Sequence, residues 1–261
     1  MSLAHPAKLL RQALSTLGLQ PQRLAQNLLN LPHFLRTARA YAKSTTPADL
    51  PLRLRNLRPI LTEFASEAGS AQGHYFHQDL WAAQLIFNLR PSSHIDVGSR
   101  LDGFVAHLLT FMPVDVIDIR PLTSPITNLR FIQEDATTLS RFHDNSIPSI
   151  SSLHAVEHFG LGRYSDPIDP AASSKAMHAL ARVLQPNGQL YFSVPIGRQR
   201  LEFNAHRIFS PITILQHFSA LHLLSFSAVD DDGRFLQNAT PSDFTNAHYS
   251  CGLFHFTKPH Q

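Results

Sequence analysis

A single cysteine, Cys251, stands in 261 residues. One thiol makes no internal disulfide and no cysteine-rich metal cluster. No run of about 18 uncharged apolar residues occurs either, so a membrane-spanning helix is not expected. Lys8 and Arg11 interrupt the apolar stretch of MSLAHPAKLLRQALSTLGL, which leaves it without the unbroken core of a secretory signal. A cytoplasmic location is the resulting expectation. Acid is scarce at the start: residues 1–60 hold nine Lys or Arg against Asp49 alone. Such a segment fits peripheral contact with an anionic membrane or a phosphate-bearing substrate, and equally a solvated helix face. The 16 histidines are scattered and form no H-E-x-x-H helix. No metal site is expected from them; His74, His77, His158 and Asp166 would make one only if folding gathered them.

What remains is ordinary for a globular chain: 43% hydrophobic and 16% charged residues, enough for one main domain with an appendage. Leu10, Leu14 and Leu17, then Leu24, Leu28 and Leu31, each recur at helical spacing. These predict two helices, the second opened by Pro21 and interrupted at Pro32. KSTTPADLPLRLRNLRP has no clean period and reads as a linker, so residues 1–58 form a basic helical extension and residues 59–261 the main domain. From Asp79 the pattern changes. DLWAAQLIFNL predicts a helix with Leu80, Ala83, Ile86 and Phe87 on one face. Short apolar strands then alternate with helices: SHIDVG, helix GFVAHLLTFM, VDVIDI, LRFIQED, IPSISSLH, a helix over 171–184, and GQLYFSVP. That alternation predicts βαβ units and a parallel sheet. LHLLSFSAV and HYSCGLFHFTK are too close for another crossover and predict an antiparallel edge.

In such a sheet, ligands lie beyond the carboxyl ends of the strands. Three acids fall there. Asp96 and Gly98 close the first strand, Asp118 closes the second, and Asp135 follows the third. An acid ending the second strand can accept hydrogen bonds from both hydroxyls of a ribose, and Asp135 from an adenine amino group. A plain strand-to-helix turn explains Gly98 and Gly103 but not the acids.

These residues resemble class I methyltransferases that use S-adenosylmethionine. IDVGSRLDG looks like their glycine motif, VDVIDI and QEDATTL like the second and third, and FHDNSIPSISSLHAVEHF and RVLQPNGQLYFSVP like the fourth and fifth strands. GHYFHQDLWAAQLIF, EHFGLGRYSDPIDP, FNAHRIFSP and CGLFHFTKP further resemble the family catalogued as domain of unknown function 268, from Gly73 to Pro259. The resemblance implies a Rossmann-like class I methyltransferase fold, with a mostly parallel seven-stranded sheet and an antiparallel edge. It also implies that Asp96, Gly98, Ser99 and Gly103 line the methionine side of the cofactor, Asp118 the ribose, and Asp135 with Ala136 the adenine. Arg100 stands where a general methyltransferase has glycine; it points outward or grips the cofactor carboxylate as a fork. Ser165 stands where the family has glycine, and a positive φ there would cost about 1 kcal/mol.

Methyl transfer needs alignment first, and a base only for a reluctant nucleophile. His158 is the leading base, with orientation of the following turn as its structural alternative. His77, Asp79 and Tyr164 are further catalytic candidates, though Asp79 also reads as a helix N-cap. Arg163, Asp166, Asp169, His206 and Arg207 are candidate contacts for a small-molecule or glycan acceptor. A methyltransferase-like scaffold without turnover is the rival reading. A nucleic-acid enzyme ranks last, because SLHAVEH lacks the Asn/Asp-Pro-Pro-aromatic step.

Overall fold

The computed structural model describes residues 14–64 and 66–260, and the chain divides into two units, residues 1–70 and 71–261. Leu10, Lys8 and Arg11 lie outside the described residues.

In the first unit, α1 (Pro21–Ser44) begins with proline at its first position, where the missing N–H is no loss. It does not break at Pro32. The proline removes one ladder bond, but a helix of 24 residues keeps its turns on both sides. None of its residues is buried, and Leu24 and Leu28 are exposed. The segment beyond is not wholly irregular, since Leu54–Asn56 forms a 3-10 turn and Leu50 O accepts a hydrogen bond from Tyr41 Oη. No described helix is long and apolar enough to cross a membrane.

The second unit is a mixed sheet covered on both faces. Its elements follow as α2 (His74–Leu89), β1 (Ile95–Val97), a π-helical turn (Leu101–Val105) running into α3 (Ala106–Leu108), β2 (Val114–Asp118), β3 (Leu129–Gln133) and β4 (Ile147–Leu153). A 3-10 turn (Val156–His158), α4 (Ala172–Val183), β5 (Leu184–Ile196), the hairpin β6 (Arg200–Glu202) and β7 (His206–Ile208), and α5 (Pro211–His217) come next. β8 (His222–Val229), β9 (Phe235–Leu236) and β10 (Ser250–Thr257) close the fold. The sheet order is β3-β2-β1-β4-β5-β10-β8-β9. β1 to β5 are parallel, and β10 runs antiparallel between β5 and β8. The sheet therefore has eight strands where seven were expected; the extra one, β9, holds two residues, too few to show a period.

Strand alternation divides the core. Ile95, Val97, Ile117, Leu190, Phe192 and Phe254 pack with α4 and α5, while Val114, Val116, Tyr191 and Leu253 pack with α2 and Phe104. α2 starts five residues before the expected Asp79, so Asp79 lies inside it and Gly73 caps it. Its buried face is Gln78, Asp79, Trp81, Ala82, Ala83 and Ile86, whereas Phe87 is exposed. The expected helix over GFVAHLLTFM is shorter and begins as the π turn.

Candidate functional site

β1 is held between β2 and β4, and its end must turn sharply into the loop above. Gly98 makes that turn with φ +72, and a Cβ there would stand 3.0 Å from Ala155 Cβ. Asp96 fastens the loop from below. Its Oδ2 accepts from Ser99 N at 3.0 Å and its Oδ1 from the hydroxyls of Ser99 and Ser151, each at 2.6 Å. Asp96 is fully buried. Burial pushes its carboxyl up to about 6, although Ser151 and Ser99 pull it down. The acid expected beside the ligand is thus a support under the loop and does not reach the cleft surface.

Above the carboxyl ends of β1 to β4 lies a cleft of about 810 Å³, lined by Gly98, Asp118, Asp135, Ala136, His158, Tyr164, Asp166 and Asp169 among others. A recess of about 1460 Å³ shares Gly98, Asp118, His158 and Tyr164 with it and adds Ser99, Arg100, Arg163 and His206. The two lie side by side along these shared residues. Asp118 is gripped as a fork by Arg120, with Nε to Oδ1 at 2.9 Å and Nη2 to Oδ2 at 2.6 Å. The same guanidinium lies 4.4 Å over the Tyr164 ring. Asp135 Oδ1 accepts from Thr137 N at 2.8 Å. Arg100 pairs with Asp102 and lies 4.8 Å over the Tyr75 ring, so it borders the recess and does not line the cleft.

His158 lines both spaces. Its Nδ1 is 2.6 Å from Ala205 O, so Nδ1 carries the proton and Nε2 the lone pair. Burial lowers its pKa, outweighing the neighbouring Glu157 carboxylate and the bond to Ala205, which keeps the ring neutral at ordinary pH. Arg163 Nη1 donates to the same carbonyl at 2.9 Å. Asp166 accepts from Gly160 N and Tyr164 N, which shapes the loop more than it offers an acceptor. Ser165 has φ +64, the left-handed conformation expected from its place in the loop.

Other candidates are engaged locally or lie outside the cleft. His77 stacks on Phe235 and lines neither space. Asp79 is buried against Gln78, and burial raises its pKa. Gly103 backs onto Asp79, whose carboxylate a Cβ would strike; this glycine serves close helix packing. Arg207 ties down the carbonyls of Phe159 and Pro170, and Asp169 spends its carboxylate on Lys175 and Ala171 N. Local backbone or charged partners claim Arg207 and Asp169 before a ligand can, and the Gln78 amide and burial claim Asp79. Sequence reasoning missed Arg120, His94, His154 and Glu157. The last two are visible in hindsight as the i, i+3 pair of HAVEH, whose Nδ1 and Oε1 lie 2.7 Å apart.

Residues 120–247 match the family model described as "Caenorhabditis protein of unknown function, DUF268". No curated protein matches the chain. Among solved structures, the [4+2]-cyclase SpnF is 14% identical over 74% of this chain and 86% of its own, with a TM-score of 0.52. A protein provisionally described as a sarcosine dimethylglycine methyltransferase from Galdieria sulphuraria is 14% identical over 70% of this chain and 86% of its own, with a TM-score of 0.50. At these identities the likeness is one of fold. It is the Rossmann-like methyltransferase fold that the sequence motifs implied.

Proposed function

We propose that the chain transfers a methyl group from S-adenosylmethionine to a small-molecule or glycan-type acceptor. The observation that carries this reading is the convergence of the left-handed Gly98 turn, Asp118 and Asp135 on one cleft above the parallel strands. The residues fit the cofactor. Gly98 presents bare backbone, Asp118 two oxygens for a ribose diol, Ala136 an apolar wall and Asp135 an acceptor for the adenine amino group. Ser99 and Arg100 border the adjoining recess, where Arg100, on leaving Asp102, is the cation proposed for the cofactor carboxylate. When bound, the cofactor supplies an electrophilic methyl group on a sulfonium. The chain's part is to align the acceptor, exclude water and let His158 Nε2 take a hydroxyl proton. Arg163, Tyr164 and His206 are the proposed acceptor contacts. Calorimetry with S-adenosylmethionine and S-adenosylhomocysteine tests the first half; no heat from either at millimolar ligand refutes it.

The Arg120 fork on Asp118 favours a second reading, a binding protein without turnover, because it occupies the oxygens a ribose would use. A methylated product from any acceptor in cell extract ends that reading. Contact of the basic first unit with anionic membrane is a further proposal, supported by its charge and by the exposed Leu24 and Leu28. Sedimentation with anionic vesicles that is unchanged when Arg36, Arg39 and Lys43 are replaced by Glu refutes it.

A further inference from the structure

His74 opens α2, His154 follows β4, and Cys251 is the second residue of β10. The fold brings one donor atom from each within 4.8 Å of the other two. His154 is buried, and among the described residues its Nε2 makes no hydrogen bond of good geometry, the Cys251 thiol being the group it interacts with there. The Cys251 thiol stands in the same cluster and interacts with His154, its contact to Gly252 O being 3.9 Å long. A buried nitrogen left unpaired costs roughly 1–3 kcal/mol, and native structures leave such atoms chiefly where something else completes them.

The opposite nitrogen is held firmly. Nδ1 lies 2.7 Å from Glu157 Oε1, the carboxylate-to-imidazole arrangement that fixes ring orientation and strengthens a metal ligand. His74 is stacked against His154 on one contact and Tyr249 on another, with ring centroids 5.3 and 5.1 Å apart. Two imidazoles and one thiolate suit a borderline-soft divalent ion; magnesium and calcium prefer oxygen. Three protein ligands leave a fourth position. His154, Glu157 and Tyr249 all border the recess, so the approach to that position is from the cleft.

We propose that His74, His154 and Cys251 form a zinc site at the floor of the cleft, with Glu157 positioning His154 and the fourth coordination place open to an incoming ligand atom. This reverses the expectation of no metal. That expectation rested on scattered histidines and a lone cysteine, and it had no means of joining three distant segments. The site stands without the methyl-transfer reading, since zinc binding and cofactor binding are measured separately.

The test uses the full chain, purified without chelator and analysed for bound metal, then titrated with zinc against a competing chelator. One zinc per chain is expected, with loss of binding in Cys251→Ser and in His154→Gln. Glu157→Gln is expected to weaken binding about 10–100-fold without abolishing it. Cobalt in place of zinc is expected to give a thiolate-to-metal charge-transfer band that Cys251→Ser removes and Glu157→Gln keeps. If Cys251→Ser does not fold, His74→Ala, at the half-buried start of α2, is expected to show the same loss of zinc. Zinc binding no tighter in the parent chain than in the folded ligand variants, or a cobalt adduct without the thiolate band, overturns the proposal.

Discussion

His94 offers the sharpest link between the site's foundation and a measurement. It is 1% exposed, with Nδ1 2.8 Å from Ser149 Oγ and Nε2 2.9 Å from Ser151 Oγ. Ser151 spends its only proton on Asp96, so its oxygen must accept from His94 Nε2–H, and Nδ1 accepts from Ser149. The neutral ring is therefore the one that fits. Burial pushes its pKa down to about 3 from 6.5. The unfolded chain takes up this proton near pH 6.5 and the folded chain only near pH 3, so the stability is present above pH 6.5 and is lost as pH falls. At pH 5 the unfolded ring is favoured by roughly 1.5 pH units, or about 2 kcal/mol at 1.36 kcal/mol per unit. Asp96 acts in the opposite sense: its folded pKa of about 6 exceeds the ordinary 3.8, so acid between those values favours the fold. That contribution is shared by the parent and a His94 variant and cancels between them. His94→Gln keeps an N–H toward Ser151 and does not titrate. Urea unfolding at pH 7 and pH 5 should show the parent losing about 2 kcal/mol more than His94→Gln. Equal losses would refute the reasoning.

Three further outcomes are expected. Asp118→Ala should weaken S-adenosylhomocysteine binding at least about tenfold in calorimetry, the scale of a lost charge-assisted hydrogen bond; the variant also gives up the bonds from Arg120, so its melting curve is recorded to show that it is folded. Arg120→Ala should tighten the same binding, because the fork no longer has to leave Asp118; weaker binding would show that Arg120 holds the ligand instead. Ser165→Gly relieves a left-handed residue and should raise stability by up to about 1 kcal/mol in denaturant unfolding; a destabilised variant would mean that the serine side chain matters more than the backbone.

The parallel sheet was legible because VDVIDI, SHIDVG and GQLYFSVP are short apolar runs separated by helical patterns, and period alone separates those states. The placement of Asp118 and Asp135 at strand ends followed from the same alternation. Periodicity does not say which side of a strand end faces a ligand, and so Asp96, one register removed from the surface, looked equivalent to Asp118. Nor does it weigh local partners: Arg207, Asp169 and Asp79 look available in a sequence and are claimed by backbone or by packing in the fold. Pro32 shows the reverse error, since a strong local breaker lost to a long helix on either side of it. His154 and Cys251 meet through the order of the sheet, with β4 and β10 both flanking β5, and His74 joins them from the start of α2. No spacing rule joins three segments so far apart.

The position of β10 between β5 and β8 bears on how the protein is made. It is synthesised after both neighbours, and it supplies backbone partners to each along nearly its whole length. Until it emerges from the ribosome, two long ladders carry open N–H and C=O edges beside Phe192 and Phe226, surfaces prone to pair with other chains. A message stopped before the codon for Ser250 would therefore be expected to yield insoluble material, because both ladders would stay open.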